Sequence, residues 1–222
     1  MYPQSNSARS VQDLSGVWDF RFNANEPWQP IAVPASYNDQ SPDPESRRHY
    51  GMAYYRTTFT VPEGARRVLR FDAVTHNAVV RLNGQEIVTH RGGFLPFEAD
   101  ITALAQPGET VTLDVEVDNR IGHSSLPVGN EGGTAFFGSD NAGIPAVEAG
   151  KARQQAQGIN LPNFDFFNYA GITRPAHLYT TPAAYIRDVT VAADMTGTLR
   201  YTVDTVGEGS VKVEILDAED RI

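Results

Sequence analysis

The sequence predicts an all-β protein, with a jelly-roll-type antiparallel β-sandwich over residues 1–182 and the start of an immunoglobulin-like sandwich over residues 183–222. Three observations carry this. Apolar and polar residues alternate with a period of two in run after run, which places one strand face in a core and the other in water. Nineteen glycines and fourteen prolines punctuate those runs. Helix-forming stretches are almost absent, and many short strands without helices pack as a sandwich.

The first strong run is Gly16–Phe22, GVWDFRF, which puts Trp18, Phe20 and Phe22 on one face and Val17, Asp19 and Arg21 on the other. Tyr54–Val61 is rich in aromatic and β-branched residues, which favour strands. Arg67–Phe71, Ala78–Leu82 and Val111–Val117 follow the same alternation. Asn83-Gly84 separates Ala78–Leu82 from Gln85–Val88. Both residues tolerate positive φ, so the pair predicts a type I′ hairpin. Ile101–Leu104, after Asp100, is expected to form a single helical turn. Ala146–Gln157 is the one stretch of good helix formers, interrupted by Gly150, and reads as a short helix or a loop.

Two segments read as irregular: Ser36–Gly51, polar with two prolines, and Asn119–Asn163, rich in Gly, Pro, Ser, Asn and Ala. Long loops in a compact domain are usually functional or disordered. Their embedded aromatics, Tyr37, Phe136 and Phe137, favour ordered packing. A domain boundary is expected near Thr180–Ala183, after a closing strand at Arg174–Tyr179. Tyr185–Ala192, Thr198–Asp204 and Val211–Leu216 follow as three strand patterns. An immunoglobulin-type sandwich needs about seven strands, so the chain reads as one domain and the opening of another, a portion of a longer polypeptide.

Composition narrows the function classes. The chain has 222 residues, 41% of them hydrophobic, enough to build a sizeable core. It carries 27 acidic and 18 basic residues, for a formal net charge of −9. Such a surface repels phosphate backbones, which argues against a nucleic-acid partner. No run approaches the length of a membrane-spanning helix. Met1–Leu14 has no apolar stretch of signal-peptide type, and there is no cysteine. A cytoplasmic protein is expected, without disulfides or thiolate chemistry. Gly129–Gly133 is glycine-rich but lacks the lysine and helix of a phosphate loop.

Five segments together carry a resemblance: LSGVWDFRF (Leu14–Phe22), VPASYNDQ (Val33–Gln40), YYRTTFTVP (Tyr54–Pro62), Arg70–Thr102 with its LNG turn, and DFFNYAGITRPAHLYTTP (Asp165–Pro182). The chain resembles glycoside hydrolase family 2 from about Leu14 to Val191. SYNDQ and DFFNYAG are similar to its β-glucuronidase branch. The GITRPAHL element has Ala176 where valine is commoner in the family. The resemblance implies a jelly-roll sugar-binding domain, an immunoglobulin-like sandwich and then a (β/α)8 barrel. That barrel would carry both catalytic glutamates of a retaining glycosidase. They would lie beyond residue 222, so this chain alone is expected to be inactive. Its role would be to buttress the barrel, lend loop residues to the active-site rim and contribute to contacts in a homo-oligomer. The resemblance implies a glucuronide as substrate of the whole enzyme and no cofactor.

Asp165 is the single substrate-binding candidate. In similar β-glucuronidases the aspartate of this motif reaches into the barrel mouth and accepts hydrogen bonds from sugar hydroxyls, which a carboxylate does well in a dry site. Read without the resemblance, Asp165 is more readily a turn-capping residue that needs no ligand. No catalytic pair is expected here. Asp43, Glu45, Asp118, Glu131 and Asp140 fall in loops, and no spacing selects two of them. The histidines, His49, His76, His90, His123 and His177, lack metal-ligand spacing. His76 is expected to be buried at a strand end, and His177 to lie in a strand. Arg174 is a candidate partner for a carboxylate at the domain junction. Trp18, Trp28, Tyr37, Tyr54 and Tyr55 could stack on sugar rings, although Trp18 alternates as a core residue does. The alternatives to a glucuronidase portion are a free-standing carbohydrate-binding module that uses such aromatics, and a structural domain that dimerises through edge strands.

Overall fold

The computed structural model describes residues 3–121, 125–126, 160 and 167–216. Two antiparallel sheets form its body. One has four strands in the order β1 (Val11–Asp13), β12 (Ala176–Thr181), β5 (Arg66–Phe71) and β9 (Phe97–Asp100). The other has six: β3 (Gln29–Val33), β2 (Gly16–Arg21), β4 (Met52–Thr60), β10 (Thr110–Asp118), β7 (Asn77–Leu82) and β8 (Gln85–Arg91). A two-residue pair, β6 (Val74–Thr75) with β11 (Gly171–Ile172), ties residue 171 to the segment before His76.

The alternation read from the sequence becomes the core. Trp18 is 2% exposed while Val17 beside it is 74% exposed. Phe20, Tyr37, Tyr55, Leu69, Phe71, Leu113 and Leu178 come from both sheets and from the loop after β3, and share one buried cluster. Phe20 meets Tyr55 edge-on at 4.9 Å and Phe22 at 4.8 Å, the geometry that aromatic quadrupoles prefer. The hairpin at Asn83-Gly84 forms as predicted, with φ of 49° and 82° at its two central residues.

The predicted turn after Asp100 is present: Ile101 C=O accepts from the N–H groups of Leu104 (3.0 Å) and Ala105 (3.2 Å), and Asp100 Oδ1 caps Thr102 N–H at 2.9 Å. Ser36–Gly51 differs from the irregular loop expected. It contains a 3-10 turn, Tyr37–Asp39, and a short helix α1, Pro44–Arg47. Asp43 accepts from the N–H groups of Glu45 and Ser46, and Pro44 stands at the first helical position, where a missing N–H is harmless. Ala146–Gln157, Phe136 and Phe137 lie outside the described residues.

Beyond β12, β13 (Tyr185–Ala193) and β14 (Leu199–Val206) pair with each other and with no other strand among the described residues, and are exposed along most of their length. The third expected strand, Val211–Leu216, does not form; residues 209–216 have no ladder partner among the described residues. Val211, Val213 and Ile215 keep their alternation but stand exposed, since a strand exists only where a neighbour takes its backbone hydrogen bonds.

Candidate functional site

At one end of the sandwich the connecting loops meet in a buried network of asparagines. Asn38, Asn119 and Asn160 are fully buried and Asn168 is 5% exposed. An asparagine amide can satisfy donors and acceptors of irregular backbone that no sheet reaches. Asn38 Nδ2 donates to Arg47 C=O at 2.9 Å, and its Oδ1 accepts from Ala170 N–H at 2.9 Å. Asn119 Nδ2 donates to His49 C=O and its Oδ1 accepts from Gly51 N–H, both at 2.7 Å. Asn168 Nδ2 donates to Asn119 C=O at 2.8 Å, and Asn160 Nδ2 donates to Asn168 C=O at 2.8 Å. Asn160 N–H reaches Arg48 C=O at 2.7 Å. Ser36–Gly51, the end of β10, Asn160 and residues 168–170 are thus joined side by side.

His76 enters the network from β6. Its imidazole is 2% exposed and its Nε2 meets Asn168 Oδ1. The Thr75–His76 peptide is cis. Gly93 packs against it so closely that an added Cβ would lie 3.0 Å from His76 Nδ1 and 2.9 Å from Thr75 Cγ2. Burial lowers the His76 pKa, and burial likewise lowers that of His49, whose ring stacks on Phe22 at 4.1 Å. In the unfolded chain both titrate near 6.5. Below that pH the unfolded chain binds protons that the folded one resists. Their contribution is therefore full above about pH 6.5 and is lost as pH falls toward the depressed folded values. The melting temperature is expected to fall between pH 7.5 and pH 5, with a shallower slope in His76→Gln. Equal slopes would show that His76 is not held neutral by the fold.

Over the network lies a small surface cluster. Arg47 pairs with Asp39, donates to Tyr169 Oη at 3.3 Å and sits 4.9 Å from the Phe167 ring centroid. Phe167 and Tyr169 meet edge-on at 4.8 Å.

The sequence candidates are distributed unevenly. Asp165 lies outside the described residues, between the two anchored asparagines 160 and 168. Asp43 caps α1, while Glu45 lies in α1 and Asp118 in β10 rather than in the loops expected, Asp118 pairing with Arg120 at 2.6 Å; Glu131, Asp140 and His123 lie outside the described residues. Among the described residues no three His, Asp or Glu side chains converge as metal ligands. His76 is buried at a strand end and His177 lies in β12, as expected. Arg174 donates to Phe94 C=O at 3.3 Å, and among the described residues no carboxylate pairs with it. The aromatic platform is not built from the named set. Trp18, Tyr37 and Tyr55 are core residues, and Trp28 lies under the guanidinium groups of Arg21 (4.1 Å) and Arg56 (4.8 Å).

Sequence reasoning missed the network because isolated asparagines in loops read as turn formers. It also missed a buried carboxylate, Asp72, held by Arg70 Nε at 2.8 Å and facing His177 Nε2 at 3.1 Å on the four-stranded sheet.

The sequence profile of glycosyl hydrolases family 2, sugar binding domain, matches residues 11–182. The chain belongs to glycosyl hydrolase family 2. A β-glucuronidase of Paenibacillus borealis is 34% identical over all of this chain. A solved β-glucuronidase of Faecalibacterium prausnitzii superposes with a TM-score of 0.78 over 93% of this chain, at 55% identity. One of Bifidobacterium dentium, complexed with coumarin-3-O-glucuronide, gives 0.76 over 94%, at 47% identity. The chain spans 37–38% of the length of these three relatives and matches an N-terminal part of them.

Proposed function

We propose that this family 2 chain serves as the sugar-binding-domain portion of a retaining β-glucuronidase, scaffolding a catalytic barrel and presenting Asp165 to the glucuronide. The observation that carries the reading is the likeness to proteins named β-glucuronidase, at 55% identity and a TM-score of 0.78 in one case. A free-standing lectin is disfavoured because the aromatics it would use are buried or covered by arginines.

In this reading residues 1–182 are the jelly-roll domain and 183–222 begin the next sandwich. Ile186, Val189, Val191 and Tyr201 are exposed on β13 and β14, an apolar face of the kind a sandwich partner covers; the whole enzyme would be a homo-oligomer. No cofactor is needed, since two carboxylates carry retaining hydrolysis. The test is turnover of 4-nitrophenyl β-D-glucuronide. The whole protein hydrolyses it in strong preference to the β-D-galactoside, and the purified 222-residue chain hydrolyses neither. Turnover by the chain alone, or preference for the galactoside, would overturn the reading.

A further inference from the structure

A cleft of about 570 Å³ opens on the face of the four-stranded sheet opposite the core, where β5, β9 and β12 meet the start of β13 and the segment around Arg9. Three guanidinium groups line it from three separate elements: Arg9, Arg66 of β5 and Arg187 of β13. Arg66 pairs with Asp100 at 2.8 Å and Arg187 with Asp204 at 2.5 Å, both carboxylates outside the lining. A guanidinium carries more N–H groups than one aspartate takes, so both keep donors to spare. Arg9 is different. Its guanidinium lies over the Tyr179 ring at 5.5 Å, and among the described residues no carboxylate pairs with it.

The lining holds one carboxylate, Glu98, bonded to Arg70 and to Tyr179 Oη, each at 2.9 Å. Burial and the Glu98 charge push the Tyr179 hydroxyl up to about 12, so it stays protonated and donates. A carboxylate has about four lone-pair sites, which leaves Glu98 with acceptor capacity. Three cations against one anion make the cleft positive in a chain whose formal net charge is −9. Its volume far exceeds what a single ion needs and falls in the range of small-molecule sites. The chemistry of the lining narrows the ligand. Guanidinium forks match the two oxygens of a carboxylate. Glu98, Thr181 and Asn6 offer oxygens to hydroxyl groups, and the Glu98 charge disfavours a compact dianion such as phosphate. Ile186, and Tyr185 with Arg66 4.3 Å from its ring centroid, supply apolar surface for C–H faces.

We propose that this cleft binds a polyhydroxylated monocarboxylate, a sugar acid, with its carboxylate held by the arginine cluster around Arg9 and its hydroxyls by Glu98 and Thr181. The inference goes beyond the proposed function, because it assigns a ligand to the junction of β12 and β13 and needs neither Asp165 nor turnover.

The test uses the full-length protein and D-glucuronate, with D-glucose and inorganic phosphate as comparison ligands. Amide exchange is followed at residues 6–9 and 184–187, and affinity is read from the concentration that half-protects them. This local readout separates the cleft from any substrate site elsewhere in the polypeptide. D-Glucuronate is expected to slow exchange in both segments, D-glucose to leave it unchanged, and phosphate to protect more weakly than the sugar acid. Arg9→Gln and Arg187→Gln should each weaken the effect of D-glucuronate about tenfold, the loss of one charge-assisted hydrogen bond. Arg21→Gln, on the six-stranded sheet, should not change it. Melting temperatures check folding. Should Arg9→Gln not fold, Arg187→Gln carries the comparison, since its side chain is 62% exposed. Absence of protection by D-glucuronate in the wild type would overturn the inference. So would equal protection by D-glucose or phosphate, or an unchanged half-protecting concentration in folded Arg187→Gln.

Discussion

Gly171→Ala is expected to destabilise the domain by about 4 kcal/mol, the sum of backbone strain and overpacking at a single site. Gly171 has a φ of 126°, a region that residues with a Cβ rarely occupy. A Cβ built there would lie 2.6 Å from Tyr55 Oη, 3.2 Å from Ala35 C=O and 3.3 Å from the Tyr37 ring. Tyr55 cannot yield, because it is fully buried and packed edge-on against Phe20. Ala35 cannot yield either, since its N–H is held by Ile172 C=O at 3.0 Å. For a domain of this size the loss corresponds to a melting temperature lower by roughly 10 °C. A change of only a degree or two would mean that the chain relaxes around residue 171 more freely than this packing allows. Because Gly171 follows Ala170 directly, the substitution also strains the anchored end of the asparagine network.

Most of the sandwich was legible in the sequence, and the reason is physical. β2, β4, β7 and β10 each bury one face, so period-two alternation reports them directly. Asn83-Gly84 was legible because its backbone requirement restricts the residues that can stand there. Helix α1 was harder, since four residues leave no periodicity. Its only signals were Asp43 as a cap and Pro44 after it. Val211–Leu216 shows the opposite failure: its alternation is sound, yet alternation states only that a strand would be amphipathic, and a ladder needs a partner.

The asparagine network was invisible for a different reason. Asn38, Asn119, Asn160 and Asn168 are scattered over more than half the chain, and only the folded loops bring them together. Any one of them alone reads as a surface turn residue. The motif DFFNYAG was recognised for its aspartate, while the asparagine three positions later is the residue that ties that motif to the domain interior. Gly93 gives no local hint either, because it stands in a turn and reads as an ordinary turn glycine, although it packs closely against Thr75 and His76.

On the proposed reading, this domain lends the Asp165 carboxylate, and no catalytic group, to a glucuronide site built elsewhere in the polypeptide. Asp165→Ala in the full-length enzyme tests it most directly. A hydrogen bond to a charged group contributes about 1.5–3 kcal/mol, so losing it lowers kcat/KM for an aryl glucuronide by roughly ten- to a hundredfold. Removing a true nucleophile or acid/base would cost several orders of magnitude more. The account predicts that intermediate loss, with the melting temperature unchanged. Wild-type kcat/KM in Asp165→Ala, or a complete loss of turnover in a folded variant, would contradict it.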